Sequence, residues 1–121
     1  MSAPDNNSPL IDFEQLRAAT DGDIIVMREL VALYFQQAGE IMIGLRKASR
    51  ERDAAEANHL AHKLAGSSLA CGMSAAAEPL RKIEAAARDG SVEGADEQLA
   101  LATSYLEMML DKIEIYLASY R

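Results

Sequence analysis

Hydrophobic residues recur at spacings of three and four along most of the chain, and no stretch alternates between apolar and polar residues over a useful length. This periodicity is typical of amphipathic α-helices. Four substantial helices with short connections predict an all-α fold, namely an antiparallel up-and-down four-helix bundle with a short additional N-terminal helix. The predicted helices cover approximately residues 11–19, 24–50, 54–71, 74–89 and 94–120.

The residues between the helices refine this organisation. Residues 1–9 are rich in Asn, Ser and Pro, so we expect a flexible N-terminal arm followed by a single domain over 10–121. Asp53 is suited to cap the helix that follows it, and Gly72 is suited to end that helix. Pro79 falls inside the next predicted helix, where proline should kink the helix or delay its regular start.

Charge and composition limit the partners and the compartment. The net charge of −7 counts against nucleic acids and anionic membranes, because both are bound mainly through clustered basic side chains. The one cysteine has no partner for an internal disulfide, and the N-terminus lacks the pattern of a signal peptide. No apolar run approaches the length of about 18 residues needed for a membrane span. We therefore expect a cytoplasmic protein.

The third predicted helix carries both histidines of the chain, His59 and His62, and a glycine one turn after the second. At about 100° per residue, His62 points away from the core-facing stripe of this helix. Glycine within a helix costs about 1 kcal/mol relative to alanine, so Gly66 suggests that a partner comes close to the backbone there. The predicted core stripe is Ala57, Leu60, Ala61, Leu64, Ser68 and Cys71, and the predicted exposed surface around His62 is Ala55, Ala65, Gly66 and Leu69.

An exposed histidine among small side chains suits one chemistry well. An unperturbed imidazole has a pKa of about 6.5, and its neutral form is a good nucleophile near neutral pH. A partner that carries a reactive phosphoryl group can reach such a ring. From the spacing alone, a plain surface histidine beside an incidental glycine is an equal alternative.

The segment AHKLAGSSLACG at 61–72 resembles the signature of histidine-containing phosphotransfer (HPt) domains, whose usual form is A-H-x-L-K-G-S-[SA] followed by an apolar residue and glycine. The similarity extends over roughly 24–118. It implies a four-helix bundle in which His62 accepts a phosphoryl group from a receiver aspartate or a histidine kinase and passes it to a response-regulator aspartate. The matching positions are Ala61, His62, Leu64, Gly66, Ser67, Ser68 and Gly72, with Leu45, Ala48, Asp53, Ile83 and Glu84 outside the segment.

The resemblance also implies roles for neighbouring residues. Glu84, 22 residues after the histidine, would hold the ring through Nδ1–H and leave Nε2 free, and Arg88, 26 residues after it, would lie near the site, with Arg81 on the same side. Glu84 and Arg88 equally fit an ordinary i,i+4 surface pair. The expected supporting residues are Glu84, Lys63, Arg88, Gly66 and Ser67, and the expected partner interface is Ala55, His59, Ala65 and Leu69.

The chain departs from the family pattern at one position near the histidine. The family usually has lysine three residues after the histidine, where Ala65 stands here. Lys63 is available, but its side chain would have to swing back towards His62. The missing lysine keeps a second function open, in which an HPt-like module docks a receiver or kinase domain without accepting phosphate.

The expected cofactors and partners follow from the resemblance and from the motifs of the chain. No G-x-x-x-x-G-K-[ST] loop is present, so we expect a phosphoryl carrier without an ATP site or independent catalytic activity. Magnesium is expected on the partner receiver domain. Glu56 and His59 have the spacing of a di-iron ligand pair, but the chain holds no second copy, so no metal is expected. The expected partners are a receiver domain and a hybrid or sensor histidine kinase, with the chain as a monomer.

Overall fold

The structure is a computed structural model that describes residues 10–120, so the predicted N-terminal arm lies outside the described residues. Within this range the chain forms five α-helices, one short 3₁₀ turn and no strand, and the predicted all-α class is confirmed. The helices are α1 (Phe13–Ala19), α2 (Ile24–Arg50), α3 (Ala54–Ala70), α4 (Ala77–Arg88) and α5 (Ala95–Ala118), with the 3₁₀ turn at Ser74–Ala76.

The long helices pack in a closed ring around one core. Helix α2 contacts α3 and α5, and α4 contacts the same two helices, with the most extensive packing between α3 and α4. Large side chains fill the centre, and each is almost completely removed from solvent. They include Met27, Leu45, Leu64, Leu80, Met109 and Ile113. None of the helices within 10–120 combines the length and the apolar character needed to span a bilayer.

Local sequence signals explain where α3 and α4 begin. The carboxylate of Asp53 accepts a hydrogen bond from the backbone N–H of Glu56 at 3.1 Å, so the predicted N-cap of α3 is confirmed. Helix α4 begins later than predicted, because 74–76 form the 3₁₀ turn. Pro79 thereby falls in the first turn of α4, where a missing backbone N–H leaves no intrahelical bond unmade.

The segment around α1 closes the C-terminal end of α3. The backbone N–H of Asp12 donates to the carbonyl oxygen of Gly72 at 2.7 Å, and the side-chain amide of Gln15 donates to the carbonyl oxygen of Ala70 at 3.0 Å. Gly72 has φ +81°, and a Cβ there would collide with the backbone oxygen of Asp12. Glycine is therefore required at this position both by its left-handed backbone and by the close approach of α1.

A buried hydrogen bond joins α2 to α3 one and a half turns beyond His62. The hydroxyl groups of Tyr34 and Ser68 lie 2.6 Å apart, and both residues are at most 2% exposed. Burial raises the pKa of Tyr34 to about 12, so the phenol is neutral at ordinary pH. A neutral phenol can donate to, or accept from, the serine hydroxyl, so both buried groups are satisfied.

Loss of either hydroxyl should destabilise the protein by leaving the other buried without a partner. We expect Tyr34→Phe and Ser68→Ala each to lower the free energy of unfolding by about 1–3 kcal/mol, and the double variant to lose less than the sum. Urea unfolding measures all three values. Tyr105→Phe is the matched control, because Tyr105 makes no side-chain hydrogen bond within residues 10–120. Additive losses in the double variant would contradict a direct coupling between the two hydroxyls.

Candidate functional site

His62 lies on the outer face of α3, as the helical periodicity predicts. Its side chain is 68% exposed. Four members of the predicted core stripe, Ala57, Ala61, Leu64 and Ser68, are fully buried on the opposite side, whereas Leu60 is only half-buried. His62 is therefore presented to solvent by a helix that is anchored along its inner face.

The surface predicted around His62 is exposed at three of its four positions. Ala55, Gly66 and Leu69 are exposed, as is His59, one turn before His62. Ala65, however, is completely buried, so the expectation that it contributes to an exposed partner surface is wrong. The buried face of α3 is wider than a single stripe because α4 packs closely along it, and this packing covers Ala65.

Helix α4 brings Glu84 against the imidazole ring. The Oε2 atom of Glu84 lies 2.6 Å from Nδ1 of His62, and the Glu84 side chain is only 12% exposed. The side-chain amide of Asn58 donates to the backbone oxygen of Glu84 at 2.9 Å and so fixes α4 one turn before the histidine. Because an ionised carboxylate can only accept hydrogen bonds, Nδ1 carries the proton and the lone pair of the neutral ring is on Nε2.

A second basic side chain holds the other oxygen of the same carboxylate. Nη1 of Arg81 donates to Oε1 of Glu84 at 2.7 Å. This hydrogen bond is the largest influence that lowers the pKa of Glu84; burial opposes it, and the His62 hydrogen bond lowers the pKa further. Glu84 is thus an ionised acceptor shared by Arg81 and His62.

The remaining predicted supporting residues take no part in this network. Lys63 and Arg88 are exposed, and within residues 10–120 neither makes a side-chain hydrogen bond or an ion pair. Ser67 is half-buried, and its backbone oxygen accepts a hydrogen bond from the N–H of Cys71. The basic partner of Glu84 is Arg81, for which the sequence signal was its position three residues earlier on the same helix.

Gly66 differs from Gly72 in what surrounds it. A Cβ added to Gly66 would meet no atom within 4 Å apart from its own helix and chain neighbours, and Gly66 has no positive φ. Neither internal packing nor backbone conformation within the described residues therefore requires glycine here. Its open surface adjoins His62, on the face of α3 that the fold leaves uncovered.

Comparison with known proteins identifies the family to which this chain belongs. A sequence model of the Hpt domain matches residues 29–115, which is more than half of the chain. The chain therefore belongs to the Hpt domain family, whose members are phosphocarrier modules of two-component phosphorelays.

Among solved structures, the chain is similar to the crystal structure of histidine-containing phosphotransfer protein B (HptB) from Pseudomonas aeruginosa PAO1. The TM-score is 0.85, and the alignment covers 94% of this chain and 99% of that chain at 20% sequence identity. At this identity the likeness concerns the fold. No curated protein matches the sequence significantly.

If Gly66 is not needed for internal packing, replacing it by alanine should make the protein more stable. We expect Gly66→Ala to raise the free energy of unfolding by about 0.5–1 kcal/mol, because alanine loses less backbone entropy in a helix. Gly39→Ala in α2 is the matched control, since Gly39 is also an exposed helical glycine with open space at its Cβ position. Chemical unfolding compares the two. Destabilisation by Gly66→Ala alone would show that this glycine serves the fold.

Proposed function

We propose that the protein is a phosphorelay intermediate whose His62 carries a phosphoryl group. It accepts the group from a receiver-domain aspartate or from a histidine kinase and passes it to a response-regulator aspartate. The observation that carries the proposal is the exposed imidazole whose Nδ1 is held 2.6 Å from the Glu84 carboxylate. This arrangement directs the lone pair of Nε2 outwards, where a partner can reach it.

The transfer step uses the charge on Glu84. The lone pair of Nε2 forms a bond to phosphorus while the bond from phosphorus to the aspartate oxygen breaks, and that electron pair returns to the aspartate carboxylate. The ring retains its Nδ1 proton and therefore becomes positively charged. A carboxylate already aligned with Nδ1–H stabilises this charge without further reorganisation. The return step reverses the same movements.

In this function the protein is a carrier that relies on its partner for the rest of the chemistry. We propose that it has no ATP site and no cofactor of its own. A magnesium ion on the receiver domain would neutralise the phosphoryl oxygens during transfer. The closed ring of contacts among α2, α3, α4 and α5 also supports an antiparallel four-helix bundle, which serves as the rigid support of the site.

The partner surface of this proposal surrounds His62 on the exposed face of α3. Ala55, His59 and Gly66 are exposed beside the histidine, and Leu69, at 45% exposure, offers the largest apolar contact among them. Small residues next to the reactive group let the backbone of a receiver domain come close. Leu69 then supplies apolar area at the edge of the contact.

A second function is kept open by Ala65. No lysine stands three residues after His62, and the alanine found there is fully buried, so α3 itself supplies no cation at that position. An Hpt-like module that docks a receiver or kinase without accepting phosphate would tolerate this loss. Labelling of His62 distinguishes the two functions.

His62 should be the sole phosphoacceptor. We expect His62→Gln to abolish acid-labile, alkali-stable labelling from a phosphorylated receiver domain, because His62 is the imidazole whose Nδ1 is held by Glu84, which leaves Nε2 free to attack phosphorus. His59→Gln is the matched control on the same helix face. Because His59 is not bonded to Glu84, labelling of this variant by the small donor phosphoramidate, which needs no docking surface, should stay within about twofold of wild type. Full labelling of His62→Gln would show that His62 is not the phosphoacceptor. Absence of labelling in the wild-type protein would favour the docking module.

Gly66 should matter for transfer between proteins and not for the chemistry of the ring. We expect Gly66→Gln to slow phosphotransfer from a receiver domain about tenfold or more, because bulk at the centre of an interface is poorly tolerated. Labelling by the small donor phosphoramidate should stay near the wild-type rate. Gly39→Gln carries the same change on α2 and should leave both rates unchanged. Wild-type transfer rates in Gly66→Gln would mean that this glycine does not provide clearance.

A further inference from the structure

The carboxylate of Glu84 has two partners of different charge. Its Oε2 atom faces Nδ1 of His62, and its Oε1 atom accepts the bond from Arg81, while the side chain is only 12% exposed. Arginine keeps its positive charge throughout the pH range in which histidine titrates. The permanent partner of the carboxylate is therefore Arg81, whereas His62 is charged only when its ring takes up a second proton.

This distinction matters because a largely buried carboxylate needs compensation by positive charge. If Arg81 were absent, the nearest source of such charge would be a second proton on His62. A doubly protonated ring has no lone pair on Nε2 and cannot form the bond to phosphorus. The same hydrogen bond that orients the ring would then tend to inactivate it.

We propose that Arg81 is a positioning residue that compensates the charge of Glu84, so that Glu84 can orient His62 through Nδ1–H while the lone pair on Nε2 stays free to bond to phosphorus. The inference rests on the proposed function of His62 as phosphoacceptor. The inference places on α4, at Arg81, the positive charge that the family's lysine would supply from α3 at the position of Ala65. That charge acts on the histidine through the carboxylate.

Other charged groups near the pair do not replace Arg81. On α3 these are His59 and Lys63, and on α4 they are Glu78, Lys82 and Arg88; within residues 10–120 none of these side chains bonds to the carboxylate. Within residues 10–120 no side chain of α2 or α5 bonds to His62 or to the carboxylate of Glu84. Helix α2 meets α3 at the buried hydroxyl pair of Tyr34 and Ser68, and α5 packs against α4 and α2.

The test replaces Arg81 by glutamine, which can still donate a hydrogen bond to Oε1 but carries no charge. Two readouts are taken between about pH 5 and pH 8, the interval in which histidine ordinarily titrates. The first is the initial rate of His62 labelling by phosphoramidate, whose P–N bond breaks as the Nε2–P bond forms and whose protonated nitrogen leaves as ammonia. The second is the NMR titration of the His62 ring in the unlabelled protein.

We expect both profiles of Arg81→Gln to move upwards by about one pH unit relative to wild type, because the carboxylate that faces the ring would then lack its permanent counter-charge. At a given pH on the acidic side of the profile, the labelling rate of Arg81→Gln should be about tenfold below that of wild type. At high pH the rate should recover, which would not happen if the substitution had simply unfolded the site. Arg81→Lys restores the charge and should return both profiles towards wild type. Arg88→Gln removes an arginine from the same helix without touching Glu84 and should shift neither.

The two readouts separate this inference from the proposed function. Coincident NMR titrations for wild type and Arg81→Gln would overturn the inference, even if His62 is labelled normally. An equal shift in Arg88→Gln would also overturn it, because the effect would then be one of general surface charge. If the titration shifts as expected but no protein is labelled, the charge relation holds and the phosphoacceptor function fails.

Discussion

The close packing of α3 against α4 is the constraint on which the site depends. Ala61 and Ala65 are completely buried and lie on the same face of α3 as Asn58, which bonds to the backbone of α4. Side chains this small allow two helices to approach closely, and the approach brings a carboxylate on α4 within hydrogen-bond distance of a ring on α3. A large residue at Ala65 would separate the helices and the two halves of the site.

The remainder of the fold holds α3 in place from its other sides. The hydroxyl pair of Tyr34 and Ser68 fixes it to α2, and the segment before α1 closes its end through Gly72. The histidine therefore stands on a helix restrained along its inner face and at its C-terminal end. Such restraint limits the freedom of the reactive ring to rotation about its own side-chain bonds, which the Glu84 hydrogen bond restricts further.

Much of this arrangement could be predicted from the sequence, and the exceptions have physical causes. Helical periodicity locates His62 on an outer face, since the direction of a side chain follows directly from its position along a helix. It does not give the width of the buried face, which depends on how many helices pack against it. Periodicity therefore places Ala65 on the surface, although the packed structure buries it. Arg81 and Arg88 are both helical neighbours of Glu84. Only the packed structure shows that Arg81 is the one that bonds to it.

The exposure of His62 has a consequence for timing. The ring is 68% exposed and stands on the convex surface of a helix, so a phosphoryl group on Nε2 would extend into bulk water. Between encounters with partners, nothing on the face of α3 would shield the new bond from hydrolysis. The persistence of the signal would then depend on the intrinsic durability of the nitrogen–phosphorus bond and on how soon the next partner arrives. In such a carrier, the lifetime of the phosphoryl group would be determined by its hydrolysis in water and by the concentration of the partner.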